Sequence, residues 1–256
     1  MTLLRTLIAS IILIALPALG GDETVVAGLS QNRVSITANF DGSEILIFGA
    51  VKREEPIPQT APLQVIVTIS GPSEAVMVRR KARRFGIWIN TDAVLVDAAP
   101  SFYAVATTAP LTEILSDTDD LRYQISISRA IRSVGAAIAS RESEKFTEAI
   151  IRVRSRNNLY QLLESQIVLS ESTLFNTSVA LPSNLTEGNY KTRIFLTREG
   201  KVIDAFETEI DVRKVGLERW IFNLAQERPL IYGLLSLFIA IVAGWGASAV
   251  FRYFRG

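Results

Sequence analysis

The feature that most constrains this chain is an uncharged segment near its C-terminus. Residues 230–251 consist only of Leu, Ile, Phe, Val, Ala, Gly and Ser, together with Tyr232 and Trp245. A helix of this length extends about 33 Å, which is enough to cross a hydrocarbon core of about 30 Å. The segment therefore predicts one transmembrane helix, followed by a short tail at 252–256.

The stretch before this segment, at 214–229, has an amphipathic pattern. Leu217, Trp220, Ile221 and Leu224 recur at helical spacing, while charged residues occupy other positions. This pattern predicts an amphipathic helix that lies at the membrane surface beside the span.

Small residues inside the span offer a packing surface. Ala243 and Ala247 form a small-xxx-small pair, which lets two helices approach closely. The pair predicts contact with a partner helix, and the alternative is that it belongs to the ordinary small-residue content of a spanning helix.

The N-terminus has the three parts of a signal peptide. Arg5 precedes an uncharged run that ends near Leu16, and small residues follow at Ala18 and Gly20. This order predicts a signal peptide at 1–20 that is cleaved after Gly20. The alternative is an uncleaved anchor, for which the apolar run is short.

A cleaved signal peptide places the following domain outside the cytoplasm and the C-terminus inside it. Arg252 and Arg255 suit a cytoplasmic tail. Cations are more numerous on the other flank of the span, which is an objection. A long domain that is already being translocated is largely indifferent to such charges, however, so the prediction stands.

The first part of the exported domain, at 21–100, predicts a block of strands. Apolar and polar residues alternate over 33–40 and again over 63–69, and 44–51 is a strongly apolar run. Asp41-Gly42 supplies a turn between the first two strands.

The middle of the chain, at 101–165, predicts a helical insertion. Few turn signals interrupt 111–115, 121–139 and 143–163, and apolar residues in the last of these recur every three or four positions. Ser143 is the expected N-cap of that helix.

Strands return at 166–213 and close the domain. We expect them at 173–181, 189–196 and 201–212, with Glu199-Gly200 turning the last hairpin. The predicted fold is mainly β: an immunoglobulin-like β-sandwich with a helical insertion, plus one C-terminal transmembrane helix. Two separate small domains are the alternative.

Composition removes several classes of function. The chain has no cysteine and no histidine, so the usual ligands of structural zinc, blue copper and haem are absent, as are thiol nucleophiles and Ser-His-Asp triads. A formal net charge of +1 gives no field that would attract nucleic acid. We expect no cofactor, no bound metal and no nucleic acid.

The densest charge in the chain is a candidate binding site for an anion or an acidic partner. Its candidate residues are Arg79, Arg80, Lys81, Arg83, Arg84, Trp88 and Asn90. Five neighbouring cations repel one another, and a phosphate, a sulfo group, a lipid headgroup or an acidic surface would relieve that repulsion. The alternative is a solvated hairpin turn.

Two further motifs contain residue types that occur in binding sites. Pro100, Ser101, Phe102 and Tyr103 could line a cleft where strands give way to helices, or could be core residues. The acidic run 117–120 lacks the glycine and the bidentate glutamate of a calcium loop, so it predicts a surface turn that starts a helix.

The chain resembles a family of alphaproteobacterial transmembrane proteins. The residues that carry the resemblance are Ile47–Ala50, Val78–Lys81, Gly86–Asn90, Ala99–Ala104, Gly188–Tyr190, Tyr232-Gly233, Gly244-Trp245 and Phe251-Arg252. The resemblance implies a bacterial inner-membrane protein with a periplasmic domain, and it brings no activity with it. It also suggests an association with a polytopic permease of the sulfite-exporter type.

We therefore expect a non-enzymatic accessory or binding protein that serves a membrane partner such as an anion permease. One alternative is an envelope enzyme that acts on peptidoglycan, lipid or sugar, which needs a deep pocket with two carboxylates in different environments. Another is a structural envelope component that self-associates through its span.

Overall fold

The computed structural model describes residues 23–37, 40–54, 56–57, 61–131 and 140–255. The predicted signal peptide lies outside these residues. Within them the strands are β1 Thr24–Leu29, β2 Arg33–Ile36, β3 Gly42–Lys52, β4 Gln64–Ser70, β5 Ser73–Arg84, β6 Ile87–Pro100, β7 Tyr103–Thr107, β8 Tyr160–Leu163, β9 Val168–Ser170, β10 Leu174–Pro182, β11 Gly188–Arg198 and β12 Lys201–Lys214. The helices are α1 Leu111–Ile114, α2 Asp117–Tyr123, α3 Ile127–Ala130, α4 Ser140–Arg156, α5 Leu217–Glu227 and α6 Pro229–Arg255. The mainly β fold with one C-terminal apolar helix is confirmed.

The strands form two main sheets and one separate hairpin. The first sheet has the order β1-β3-β10-β9, the second has the order β2-β12-β11-β4-β7-β8, and β5 pairs only with β6. Since β3 pairs with β10 and β4 with β11, the early and late blocks of strands share both sheets. The immunoglobulin-like detail stays a prediction, and two pairs, β2 with β12 and β7 with β8, run parallel.

The two main sheets pack face to face around one core. In β10 every second residue is buried, from Phe175 through Val179 to Leu181, as expected for a strand with one face in the core. These side chains join Ile45 and Ile47 of the same sheet and residues of β4, β11 and β12 opposite. The alternating apolar residues of β10 thus form part of the inner face of the sandwich.

A second core covers the outer face of the six-stranded sheet. It contains Ile66, Val105 and Phe195 from that sheet, together with Ile125 from the helical region and Ile150 from α4. The base of the β5/β6 hairpin also packs here. Because β4, β7 and the central part of β11 are covered on both faces, apolar side chains lie on both: Val67 and Ile194 face the sandwich core, and Ile66 and Phe195 face the second core.

The helical region differs from the prediction at its C-terminal end. The helix predicted up to residue 163 ends at Arg156, and Tyr160–Leu163 is instead the strand β8, parallel to β7. Asn158 adopts a left-handed conformation, with φ 56°, which commonly terminates a helix. Ser143 lies inside α4 rather than at its N-cap, because the helix already includes Ser140.

The prediction of one continuous helix over 121–139 is also wrong for residues 121–131, the part that the structure describes. That helix is replaced by the end of α2 and by the short α3. Gln124, with φ 53°, ends α2 in the left-handed region. The acidic run does start a helix as expected, because Ser116 caps α2 by accepting a hydrogen bond of 3.3 Å from the Asp119 amide.

The C-terminal elements are two successive helices, α5 and α6. The amphipathic stretch forms α5, and α6 contains one candidate membrane span at Pro229–Ser248, none of which is buried inside the described part of the protein. Proline at the first position of α6 suits a helix start, since that amide has no partner within the helix.

Candidate functional site

The basic cluster lies on a long β-hairpin rather than in a turn. Strand β5 carries the five cations in its last six residues, and all five are exposed. Arg83 pairs across the hairpin with Trp88, and Lys81 with Asn90. The structure therefore brings the predicted cations, the tryptophan and the asparagine together on one projecting element.

The turn of this hairpin consists of two residues in the left-handed region. Phe85 has φ 50° and Gly86 has φ 84°, which is the arrangement of a type I′ hairpin turn. Glycine adopts this conformation without strain, whereas phenylalanine rarely does. The turn thus fixes an unfavourably placed aromatic residue at the extreme end of the hairpin.

One cation of the cluster is neutralised within the hairpin. Arg80 forms an ion pair of 2.6 Å with Asp92, which also accepts a hydrogen bond of 2.9 Å from Thr91. The Thr91 hydrogen bond and the one from Arg80 lower the pKa of Asp92. Among the described residues, no carboxylate lies within 4.0 Å of the other four cations.

Two more cations reach the cluster from α4. A groove of about 330 Å³ lies between the hairpin and this helix. Its lining residues are Val78, Arg79, Arg80, Lys81, Lys145, Phe146, Ala149 and Arg152. Five of these side chains are cationic and none of them is acidic, so the groove has a strongly positive wall and an apolar floor at Phe146, which is 5% exposed.

Hydrogen bonds at the base of the hairpin hold α4 in place. Arg154 donates to the Pro100 carbonyl and to the Tyr160 hydroxyl, the latter at 2.9 Å, and Tyr160 itself donates to Pro100 at 2.9 Å. Burial raises the pKa of Tyr160, which keeps the hydroxyl protonated as a donor. The same contacts set the distance between the two walls of the groove.

Lys145 and Arg152 were not predicted as site residues. They lie seven positions apart in the chain, which places them on the same face of a helix. That spacing was visible in the sequence, but nothing in it indicated that the helix packs beside β5.

The residues predicted to line a cleft lie in the interior. Phe102 and Tyr103 are 0% and 1% exposed. Phe102 packs in the sandwich core near Tyr190, with ring centroids 6.1 Å apart. Tyr103 faces the second core, where its hydroxyl donates to the Ile125 carbonyl at 2.8 Å. Pro100 is also buried and Ser101 is half-buried, so the four residues serve the core and the base of the hairpin.

The small pair of the span, Ala243 and Ala247, is exposed on α6 one helical turn apart. The two residues share a face of that helix. A partner helix at this face stays a prediction.

Two other cavities bear on the enzymatic alternative. In the larger, of about 600 Å³, Asp41 is the one acidic residue among the described lining residues. A second, of about 440 Å³, is lined by Asp117 and Asp120. Asp120 already accepts hydrogen bonds from the backbone and hydroxyl of Ser126, both at 2.7 Å, so its carboxylate serves a local turn.

One buried carboxylate has a structural explanation. Glu23 is 8% exposed and lies 2.5 Å from Arg53 and 2.8 Å from Arg198. Burial favours its neutral form, but the two arginines outweigh that effect and lower the pKa of Glu23. We call these three residues the ion triad.

Comparison with known proteins places the chain in a membrane context. The model of the family described as "Putative transmembrane protein" (Alph_Pro_TM) matches residues 24–253. No curated protein matches the sequence at a significant level.

Proposed function

Because the chain belongs to this family of transmembrane proteins, we propose that it is a single-pass protein of the bacterial inner membrane. Its β-rich domain faces the periplasm and its C-terminus faces the cytoplasm. The support is the signal-peptide pattern at 1–20 and the position of the candidate span after the domain. A domain that follows a signal peptide is translocated until a hydrophobic stop segment halts it.

We propose further that the protein is a non-enzymatic binding protein whose groove holds an anionic group. The observation that carries this proposal is the convergence of Arg79, Lys81, Lys145 and Arg152 on one cavity, with no acidic side chain among the described residues that line it. Like charges held at close range raise the free energy of the empty site, and a bound anion lowers it. The groove is therefore selective by charge.

The size and lining of the groove indicate the class of ligand. A volume of about 330 Å³ lies at the small end of the range for ligand pockets, which starts near roughly 300 Å³. Guanidinium groups bind oxyanions through paired hydrogen bonds, whereas an ammonium group acts as a point charge. The groove fits one sulfo, phospho or carboxylate group, either of a small anion or of an acidic side chain on a partner.

The partner that we propose is a polytopic anion permease of the sulfite-exporter type. A single anchor keeps the domain beside other membrane proteins. A basic groove next to a permease would either bind the transported anion or dock an acidic loop of the transporter. Sulfite and an acidic loop share the chemistry that the groove recognises.

Ligand binding is tested on full-length protein in detergent by isothermal titration calorimetry with sulfite, sulfate and phosphate. The double variant Lys145→Gln/Arg152→Gln is expected to bind about tenfold more weakly or worse, because each lost charged hydrogen bond contributes roughly 1.5–3 kcal/mol. The matched control is Lys191→Gln/Lys201→Gln, which removes the same charge from β11 and β12. Equal affinity in all three proteins would show that the groove is not the site.

The partner is tested by affinity purification from gently solubilised membranes. A polytopic permease should co-purify with the full-length chain, and should be lost when the chain ends at Glu227. The groove double variant separates the two modes of contact. If the variant still retains the permease, the anchor rather than the groove makes the contact.

A further inference from the structure

The end of the β5/β6 hairpin exposes large apolar side chains to solvent. We call residues 83–89 the hairpin tip. Its exposed apolar side chains are Phe85 at 106%, Ile87 at 64%, Trp88 at 68% and Ile89 at 40%. Contiguous exposed apolar residues of this size mark a contact surface more often than they mark chance.

The tip lies well beyond the part of the hairpin that packs on the domain. Val76, Val78 and Val96 at the base contact the second core. From Arg79 to Arg84 the strand continues for about 17 Å, at about 3.3 Å per residue. No core cluster of the described residues includes a side chain of this outer part, so the fold itself gains no burial from the tip.

Phe85 has a backbone conformation that is unusual for its residue type. Asn, Asp or Gly normally occupies its place in a type I′ turn, yet a bulky residue adopts φ 50° there. Because its side chain is fully exposed, no contact in the domain compensates for that conformation. Its position is explained if the ring contacts something outside the domain.

Cationic and apolar residues lie side by side at the hairpin tip. Phe85 is at the extreme end, Arg84 and Arg83 lie directly across from Ile87 and Trp88, and Arg79 and Lys81 lie further back. A segment at a bilayer surface can carry both kinds of residue at one level, because a long arginine side chain reaches back to the phosphates while apolar side chains enter the acyl region and tryptophan lies at the interface.

We propose that the hairpin tip is a second membrane contact of this protein, which inserts its apolar side chains into the bilayer surface and binds anionic phospholipid headgroups through its arginines. The candidate span at Pro229–Ser248 supplies the bilayer. The unpaired cations supply charge complementarity with anionic lipid, worth several-fold in affinity for each cation near the surface. This proposal goes beyond the groove and uses different side chains.

The test uses Trp88 as a reporter in full-length protein. The chain has three tryptophans, so the background variant Trp220→Phe/Trp245→Phe leaves only Trp88. The protein is reconstituted in vesicles of phosphatidylcholine, or of phosphatidylcholine and phosphatidylglycerol in equal parts, with and without brominated acyl chains. In the mixed vesicles we expect the emission of Trp88 to shift to shorter wavelength and to lose most of its intensity to brominated lipid.

Three variants in the same background test the cause of this quenching. Phe85→Ser/Ile87→Ser should abolish the quenching, and Arg83→Gln/Arg84→Gln should reduce it to the level seen in phosphatidylcholine alone. The matched control is Met77→Ser/Leu95→Ser, which removes two exposed apolar side chains, at 54% and 50%, from the base of the hairpin and should leave the quenching unchanged.

Two results would overturn the proposal. One is a Trp88 that stays in water and escapes quenching in both kinds of vesicle. The other is shielding of Trp88 that grows with protein density and does not respond to bromine, which would mean that a second copy of the chain covers the tip. The Lys145→Gln/Arg152→Gln variant leaves the tip intact, so failure of the groove proposal and failure of this one are distinguished.

Discussion

The ion triad and the hairpin cations show two different uses of charge in one domain. Glu23 is buried between Arg53 and Arg198, at distances of 2.5 and 2.8 Å. On the hairpin, Arg80 is paired with Asp92, while its neighbours are exposed and have no carboxylate within ion-pair distance in the described part of the chain. The triad joins β11 to the start of the domain, whereas none of the hairpin cations other than Arg80 forms an ion pair with a described residue. Charge that serves the fold is compensated, and charge left uncompensated is available to a ligand.

The strongest test of this contrast removes the carboxylate of the triad. Glu23→Gln leaves two arginines buried without their partner, and breaking a buried ion pair on one side costs roughly 3–5 kcal/mol. Thermal and urea unfolding of the full-length protein should show the loss. The control Asp211→Asn breaks exposed pairs with Arg33 and Arg213 and should cost less than about 1 kcal/mol. Similar losses in the two variants would remove the distinction.

Acid should also destabilise the protein through the triad, because protonation removes the charge of Glu23. The pKa of Glu23 in the folded protein is below its usual 4.5, so its stabilising effect is fully present above the pKa of the unfolded chain. That effect is lost as the pH falls through the lower, folded pKa. Between about pH 6 and about pH 3, the free energy of unfolding should fall more steeply with decreasing pH for the wild-type protein than for Glu23→Gln. Parallel curves would contradict this assignment.

A further test of the contrast removes the carboxylate that pairs with Arg80. Asp92→Asn removes the partner of Arg80 and adds one net positive charge beside the groove. We expect phosphate and sulfite to bind a few-fold more tightly, measured by calorimetry at low salt, with the gain disappearing at high salt. Weaker binding would mean that Asp92 positions Arg80 for the ligand rather than competing with it.

The smallest expected effect is at the turn of the hairpin. Phe85→Asn places a residue that tolerates the left-handed conformation at φ 50°, and should stabilise the domain by about 0.5 kcal/mol or less. The same change should weaken quenching of Trp88 by brominated lipid. A variant that is more stable and contacts the membrane less well would show that Phe85 lowers the stability of the domain but strengthens its membrane contact.

Local patterns in the sequence predicted six of the twelve described strands and the basic cluster. The alternation over β10 and the Glu199-Gly200 turn are properties of neighbouring residues, so they could be read directly. The five hairpin cations are also contiguous. Their classification as either a binding site or a solvated turn depended on what packs beside them, which neighbouring residues do not show.

Features that depend on distant partners were missed. The hydrogen bond from Arg53 to Glu23 spans 30 positions, and Lys145 and Arg79 line the same groove only because α4 packs on the second core. The helical interpretation of 159–163 failed for a related reason. Leu159 and Leu162 have helical spacing, but Asn158 ends the helix and β7 offers a strand edge to pair with.

The parallel pairing of β2 with β12 has a consequence for how the chain matures. Strands β2, β3 and β4 all find partners among the last strands of the domain, β12, β10 and β11. During synthesis, the early strands therefore lack these pairing partners until β10, β11 and β12 have been made. Such contacts, distant in sequence, form slowly. The candidate membrane span begins at Pro229, shortly after β12 ends at Lys214, so the two sheets are completed only shortly before the span itself is made.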